Sequence, residues 1–197
     1  MLPIFMTNRI DLYLLQISSA IWWVPELFIF LTRNRIRGAQ TLNRSSGFVL
    51  IISLYITVYL GLQTSFSEGQ FAIPWDRPFI FGIGIFLILA GVVFRWYSIW
   101  ILGKYFTAAL SIQPGQTVIE KGPYRYIRHP SYSGAMLSFL GFGLALTNWF
   151  SLGLIIIGIA IGYGYRVHVE EQALVKGLGQ PYRDYMQHTK RFIPFVY

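Results

Sequence analysis

Five apolar stretches, at about residues 12–31, 48–62, 79–102, 132–146 and 152–165, decide what this chain can fold into. A helix crosses about 30 Å of hydrocarbon with about 20 residues, so each stretch reads as a membrane span. The second, fourth and fifth are short for that, and their polar ends count toward the crossing. The last two are divided only by a polar break around Asn148 and read as a tight helical hairpin. Within the fifth, Gly158 and Gly162 form a small-xxx-small pair that permits close helix approach. Composition agrees: 54% of residues are hydrophobic and 12% charged, against about 25% charged in ordinary globular domains. Sixteen Lys and Arg against eight Asp and Glu give a net charge of +8. In a chain this apolar, that excess fits a membrane protein better than a nucleic-acid binder. The absence of Cys excludes disulfides, catalytic thiols and thiolate metal sites.

Charge then orients the spans. The first connection carries Arg33, Arg35, Arg37 and Arg44 and no acid, and the second carries Glu68, Asp76 and Arg77. The long third connection has Lys104, Lys121, Arg125 and Arg128. The fourth has no charge, and the tail has Lys176, Arg183, Lys190 and Arg191. By the positive-inside rule the N-terminus lies outside and the C-terminus in the cytoplasm. Residues 1–11 lack the basic region, apolar core and small-residue cleavage site of a signal peptide. The expected fold is all-α: a polytopic membrane protein with five transmembrane helices. Residues 1–102 hold the first three, and residues 103–197 hold the functional region. That region comprises a polar connection, a transmembrane hairpin at 131–168 and a cytoplasmic C-terminal segment.

The two long polar segments, 103–131 and 166–197, flank the hairpin on one side of the membrane. Nearly all residues able to do chemistry lie there, although tyrosine belts and snorkelling arginines are also ordinary at a membrane surface. Gly122-Pro123 marks a turn. His129 precedes Pro130, which favours an extended backbone, and Pro130 suits the first position of a helix. Arg128 and His129 then sit ahead of a helix N-terminus, a place that favours anions. Arg166 and Glu170, four apart, share a helix face. They read either as an ion pair worth a few tenths of a kcal/mol or as two groups serving two ligands. Glu171 points elsewhere on that helix, and His168 has no partner by spacing. No metal-ligand spacing, nucleotide loop or nucleophile elbow is present. Glu26 and Arg95 are the ionisable residues inside spans, and so candidates for function, for pairing with each other or, for Arg95, for snorkelling.

Arg128-His129-Pro130-Ser131-Tyr132-Ser133-Gly134 resembles the RHPxYxG motif of the isoprenylcysteine carboxyl methyltransferase (ICMT) family. The tail is similar too: Arg166, Glu170-Glu171, Gly179-x-x-Tyr182-x-x-Tyr185, then Arg191 and Pro194-Phe195. The resemblance covers residues 103–197, and the first half matches only as hydrophobic spans. RHPxY alone is shared with phospholipid methyltransferases and membrane sterol reductases. The ordered combination with the hairpin, double Glu and terminal Gly-Tyr-Tyr is more specific.

The resemblance implies methyl transfer from S-adenosyl-L-methionine, leaving S-adenosyl-L-homocysteine, to a lipid-linked acceptor that enters from the bilayer. The acceptor it suggests is the carboxylate of a prenylated cysteine, on a small molecule or a protein. It places the cofactor against Gln113, Val118, Lys121, Gly122, Pro123 and Tyr124, then His129, Tyr132 and Gly134, then Glu170 with its neighbour Glu171. Arg166 is associated with the acceptor, Glu170 with the reacting site, and Arg128 with an anionic part of a ligand or a structural carbonyl. The expected protein is a monomer in the bilayer with its site facing the cytoplasm, binding neither metal nor nucleic acid. The competing readings are a phospholipid or amine methyltransferase, an NADPH-dependent sterol-type reductase, and a transporter or scaffold without enzymatic activity.

Overall fold

The computed structural model describes residues 3–32, 40–43, 45–66, 71–74, 76–107, 110–113 and 115–194. Arg33, Arg35, Arg37, Arg44, Glu68 and Phe195, used above for orientation and resemblance, lie outside them. Helices α1 (Ile4–Thr7), α2 (Arg9–Thr32), α3 (Ser45–Ser65), α4 (Arg77–Leu102), α5 (Pro130–Ala145), α6 (Trp149–Leu178) and α7 (Gln180–His188) make up nearly all of the described fold. One ribbon is added to the expected helices: β1 (Gln40–Asn43) pairs antiparallel with β2 (Leu110–Ile112). Strands of four and three residues are too short to leave an alternating pattern in the sequence.

Among the described residues three helices are long and apolar enough to cross a membrane: Ser46–Ser65, Arg77–Tyr105 and Trp149–Leu178. The last expected span does not stop at residue 165. Its helix, α6, has 30 residues and so reaches about 45 Å, whereas the 16 residues of α5 reach about 24 Å. Both ends of this arrangement are capped. The side chain of Asp76 accepts from Phe79 N at 3.2 Å and starts α4, with Pro78 in the first turn where no N–H is needed. Asn148 does the same for α6, accepting from Ser151 N at 3.0 Å. Gly179, at φ +66°, ends α6 and turns the chain into α7.

Closeness in the bundle is written in glycines. A Cβ on Gly134 of α5 would lie 2.6 Å from Arg95 N of α4, and one on Gly141 would lie 2.6 Å from Gly84 O and Ile88 N. Gly84 and Gly91 of α4 answer them, each meeting α5 backbone. Gly158 and Gly162 do mark a close approach, but to Thr57 and Ser53 of α3. So α5 and α6 follow each other through Thr147–Asn148 as a hairpin, while the tightest backbone contacts run from α5 to α4, and Gly158 and Gly162 of α6 face α3. Between these pairs Trp22, Phe139 and Phe142 interlock, with the Trp22 and Phe139 rings edge-on at 4.4 Å.

Candidate active site

Pro130, as the first residue of α5, needs no hydrogen-bond acceptor there, and His129 stands before it in a non-helical conformation. This start places Tyr132 in the first turn of α5, facing α6. On α6, residues four apart stack in a row. Arg166, Glu170, Leu174 and Leu178 form such a row, and all four line an open cleft. Tyr132 Oη donates to Glu170 Oε2 at 2.6 Å and accepts from Arg166 Nε at 3.2 Å. Arg166 Nε is also 3.7 Å from Glu170 Oε2, and Arg166 Nη1 donates to Ser46 Oγ of α3 at 2.8 Å. The Arg166 side chain is 4% exposed and that of Glu170 is 21% exposed. The cation is therefore seated deep, and its carboxylate neighbour stands nearer the opening. A guanidinium in such a place can take a second carboxylate through two parallel N–H groups. The carboxylate can accept from an ammonium or a hydroxyl.

Glu171, one residue on, is turned about 100° around the helix. Its Oε1 accepts from Arg128 Nε at 2.9 Å, and its Oε2 accepts from Arg191 Nε at 3.1 Å. Arg128 Nη1 donates to the carbonyls of Met186, at 3.3 Å, and Thr189. Backbone bonds follow the same line: Arg128 N to Lys190 O at 2.7 Å, His129 N to Arg191 O at 3.1 Å, and Lys190 N to Tyr126 O at 3.0 Å. These bonds strap the segment after α7 onto the turn before α5.

The remaining walls come from Tyr105, Phe106 and Thr107 beyond α4, from residues 116–119, and from Tyr124, Tyr182 and Tyr185. Tyr185 Oη donates to Tyr124 O at 2.6 Å. Tyr182 Oη is buried in the wall with no hydrogen-bond partner among the described residues. His129 Nε2 lies 3.4 Å from Glu171 Oε1, within ion-pair reach but outside hydrogen-bond geometry. Burial pushes the phenols of Tyr124, Tyr182 and Tyr185 above their ordinary pKa, and for Tyr182 the carboxylates of Glu170 and Glu171 push the same way. All three keep their protons at neutral pH.

Of the residues nominated from the sequence, Val118, Tyr124, Arg128, His129, Tyr132, Arg166 and Glu170 meet in the cleft lining. Gln113, Lys121, Gly122, Pro123, Gly134 and Glu171 do not line it. Gln113 Nε2 donates to Lys104 O at 2.6 Å, and Lys121 O and Pro123 O close the turn by accepting from Tyr124 N and Tyr126 N, each at 3.1 Å. Gly122 has φ +56°, and a side chain there would strike Ile101. The sequence reading nominated neither Leu174 and Leu178 nor Tyr182. Extending the Arg166–Glu170 row by four and eight residues finds the first two, and the Gly-x-x-Tyr-x-x-Tyr pattern holds the third. Among the described residues no group of three or more His, Cys, Asp or Glu is placed to hold a metal ion.

This geometry falls within a region that has known relatives. Residues 83–176 match the family model for the isoprenylcysteine carboxyl methyltransferase (ICMT) family. The match spans a little under half of the chain and takes in α5 and most of α4 and α6. The Bacillus subtilis (strain 168) protein YpbQ is 25% identical over 130 residues, covering 66% of this chain and 74% of its own. A probable protein-S-isoprenylcysteine O-methyltransferase of Oryza sativa subsp. indica is 28% identical over 160 residues, covering 80% and 81%. The solved structure of a eukaryotic intramembrane Ras methyltransferase, itself an ICMT, superposes with a TM-score of 0.57 at 22% identity. The superposition covers 79% of this chain and 55% of that one, and it establishes a shared fold. The ICMT match takes in the motif and the upper part of the α6 row, and it stops short of Tyr182 and Tyr185.

Proposed function

We propose that this chain is a membrane methyltransferase that esterifies the carboxylate of a prenylated cysteine with S-adenosyl-L-methionine as donor. The observation that carries the reading is the Tyr132–Glu170–Arg166 trio in a cleft at the end of a membrane-length helix. The cleft suits such a donor on its own chemistry. Glu170 offers a partly exposed carboxylate for an ammonium or ribose hydroxyl, Tyr182 Oη is a buried group in need of a partner, and the rings of Tyr105 and Tyr132 suit a sulfonium. When bound, the donor supplies an activated methyl group on positive sulfur.

The protein's own work is to bind and to align. A carboxylate acceptor is already nucleophilic, so no side chain has to remove a proton. Arg166 holds it through the guanidinium fork, and the loose 3.7 Å approach to Glu170 leaves that fork able to exchange partners. Ser46 and Tyr132 fix the plane of the guanidinium, and alignment of this kind contributes several kcal/mol to a transfer. Arg128 and Glu171, which hold each other and the strap, shape the wall and bind no acceptor. In this reading α2 and α5 join the three membrane-length helices to give five crossings. Residues 1–102 are the frame, residues 103–197 the catalytic region, and a monomer presents the site to the cytoplasm.

Calorimetry with S-adenosyl-L-homocysteine should show binding, and its absence at high micromolar concentration would overturn the assignment. Radiolabelled methyl transfer to prenylcysteine analogues, run beside phospholipids and simple amines, fixes the acceptor. Arg166→Ala should spare binding of the product and cut turnover about 100-fold, the loss of one charge-assisted contact made at the reacting group. A reporter fused after Tyr197 should lie in the cytoplasm.

A further inference from the structure

Glu26 and Arg95, the two ionisable residues inside the expected spans, take no part in the cleft lining. They are joined to each other. Arg95 of α4 meets Glu26 of α2 along one edge of the guanidinium, Nε to Oε1 and Nη2 to Oε2, the second bond at 2.6 Å. The remaining arm is turned away from Glu26: Nη1 donates to Ser131 O at 3.1 Å. Ser131 is the second residue of α5 and lines the cleft between His129 and Tyr132. Beside it Gly134 rests on the backbone of Arg95, with room for no side chain. One guanidinium thus ties α2 and α4 to the first turn of α5.

An ion pair among membrane helices is a costly way to join two helices, because both charges must be desolvated and an apolar pair of similar size packs as well. The third arm is what an apolar pair lacks. We propose that the Glu26–Arg95 pair is a positioning device for the site: Glu26 orients Arg95, and Arg95 holds the turn that sets Tyr132 and His129 against Glu170 and Arg166. The effect on turnover rests on the methyltransferase reading, and the effect on the turn does not.

The test separates position from packing. Glu26→Leu/Arg95→Met removes both charges and keeps the volume, while Glu26→Arg/Arg95→Glu keeps the pair and moves the fork to α2. In both, the carbonyl of Ser131 loses the Arg95 donor. Hydrogen exchange is read at the amides of Tyr132 and Ser133, each bonded to His129 O at 3.0 Å. It should quicken about 10-fold while the unfolding midpoint of the apolar pair stays within a few degrees of the parent. Turnover of S-adenosyl-L-methionine should fall about 10-fold in kcat, with KM for the donor within about twofold, as misplacement of an aligned group requires. Wild-type exchange and wild-type kcat in a stably folded double variant would overturn the proposal. Should neither double variant fold, Arg95→Lys decides in their place, since a single ammonium cannot serve both Glu26 and Ser131. It should show the same faster exchange, and unchanged exchange would again overturn the proposal. A parent protein without methyl transfer defeats the functional reading and leaves the exchange result to judge the device.

Discussion

Glu170 faces the cleft with one phenol donating to it and 21% of its side chain exposed, whereas Glu171 is 6% exposed and takes two arginines. The two are neighbours in the chain with identical side chains. The helix turns them about 100° apart, and each meets a different set of partners. Glu171 has its lone pairs filled by groups that join the RHP segment to the strap, so it builds. Glu170 retains acceptor capacity toward an opening, so it can bind. A carboxylate's role here follows from how completely the protein satisfies it.

The sharpest break in that comparison is Glu171→Ala. It leaves Arg128, 8% exposed, without its carboxylate, and the fold should lose about 3–5 kcal/mol, seen as a large drop in the unfolding midpoint in detergent. Glu170→Ala should do the reverse. Affinity for S-adenosyl-L-homocysteine should fall about 100-fold, close to 2.7 kcal/mol, with the midpoint nearly unchanged. Equal losses of stability in the two variants would erase the distinction. Tyr132→Phe removes a hydroxyl that bridges Glu170 and Arg166, and should cost about fivefold in turnover, near 1 kcal/mol, without unfolding the protein. Arg191→Ala is the mildest. Its side chain is 35% exposed and Arg128 remains on Glu171, so thermal unfolding should register less than about 1 kcal/mol.

What could be read from the sequence was what is local. The pairing of Arg166 with Glu170 follows from helical spacing, and the start of α5 follows from Pro130. The signature around His129 carried the resemblance to the ICMT family, whose model matches residues 83–176. The destination of Arg128 was beyond such reasoning. Its partners lie 43 and 61 residues away, and only the folded chain brings them near. The same holds for Glu26 and Arg95, 69 residues apart, for which pairing was one of several open readings. The glycines that bring α4 onto α5 are spread over two helices and look like common membrane filler until the helices are set side by side. The cleft walls at Tyr105–Thr107 and Leu174–Leu178 carry no chemical signature of their own.

The strap has a consequence for the order in which the molecule is made. Thr189, whose carbonyl receives the Arg128 guanidinium, leaves the ribosome 61 residues after Arg128 does. The spans can enter the bilayer one after another as they emerge. The cleft must wait for α6 and then for the strap, so a nascent chain halted within α7 already holds its membrane-length helices and does not yet have a closed site.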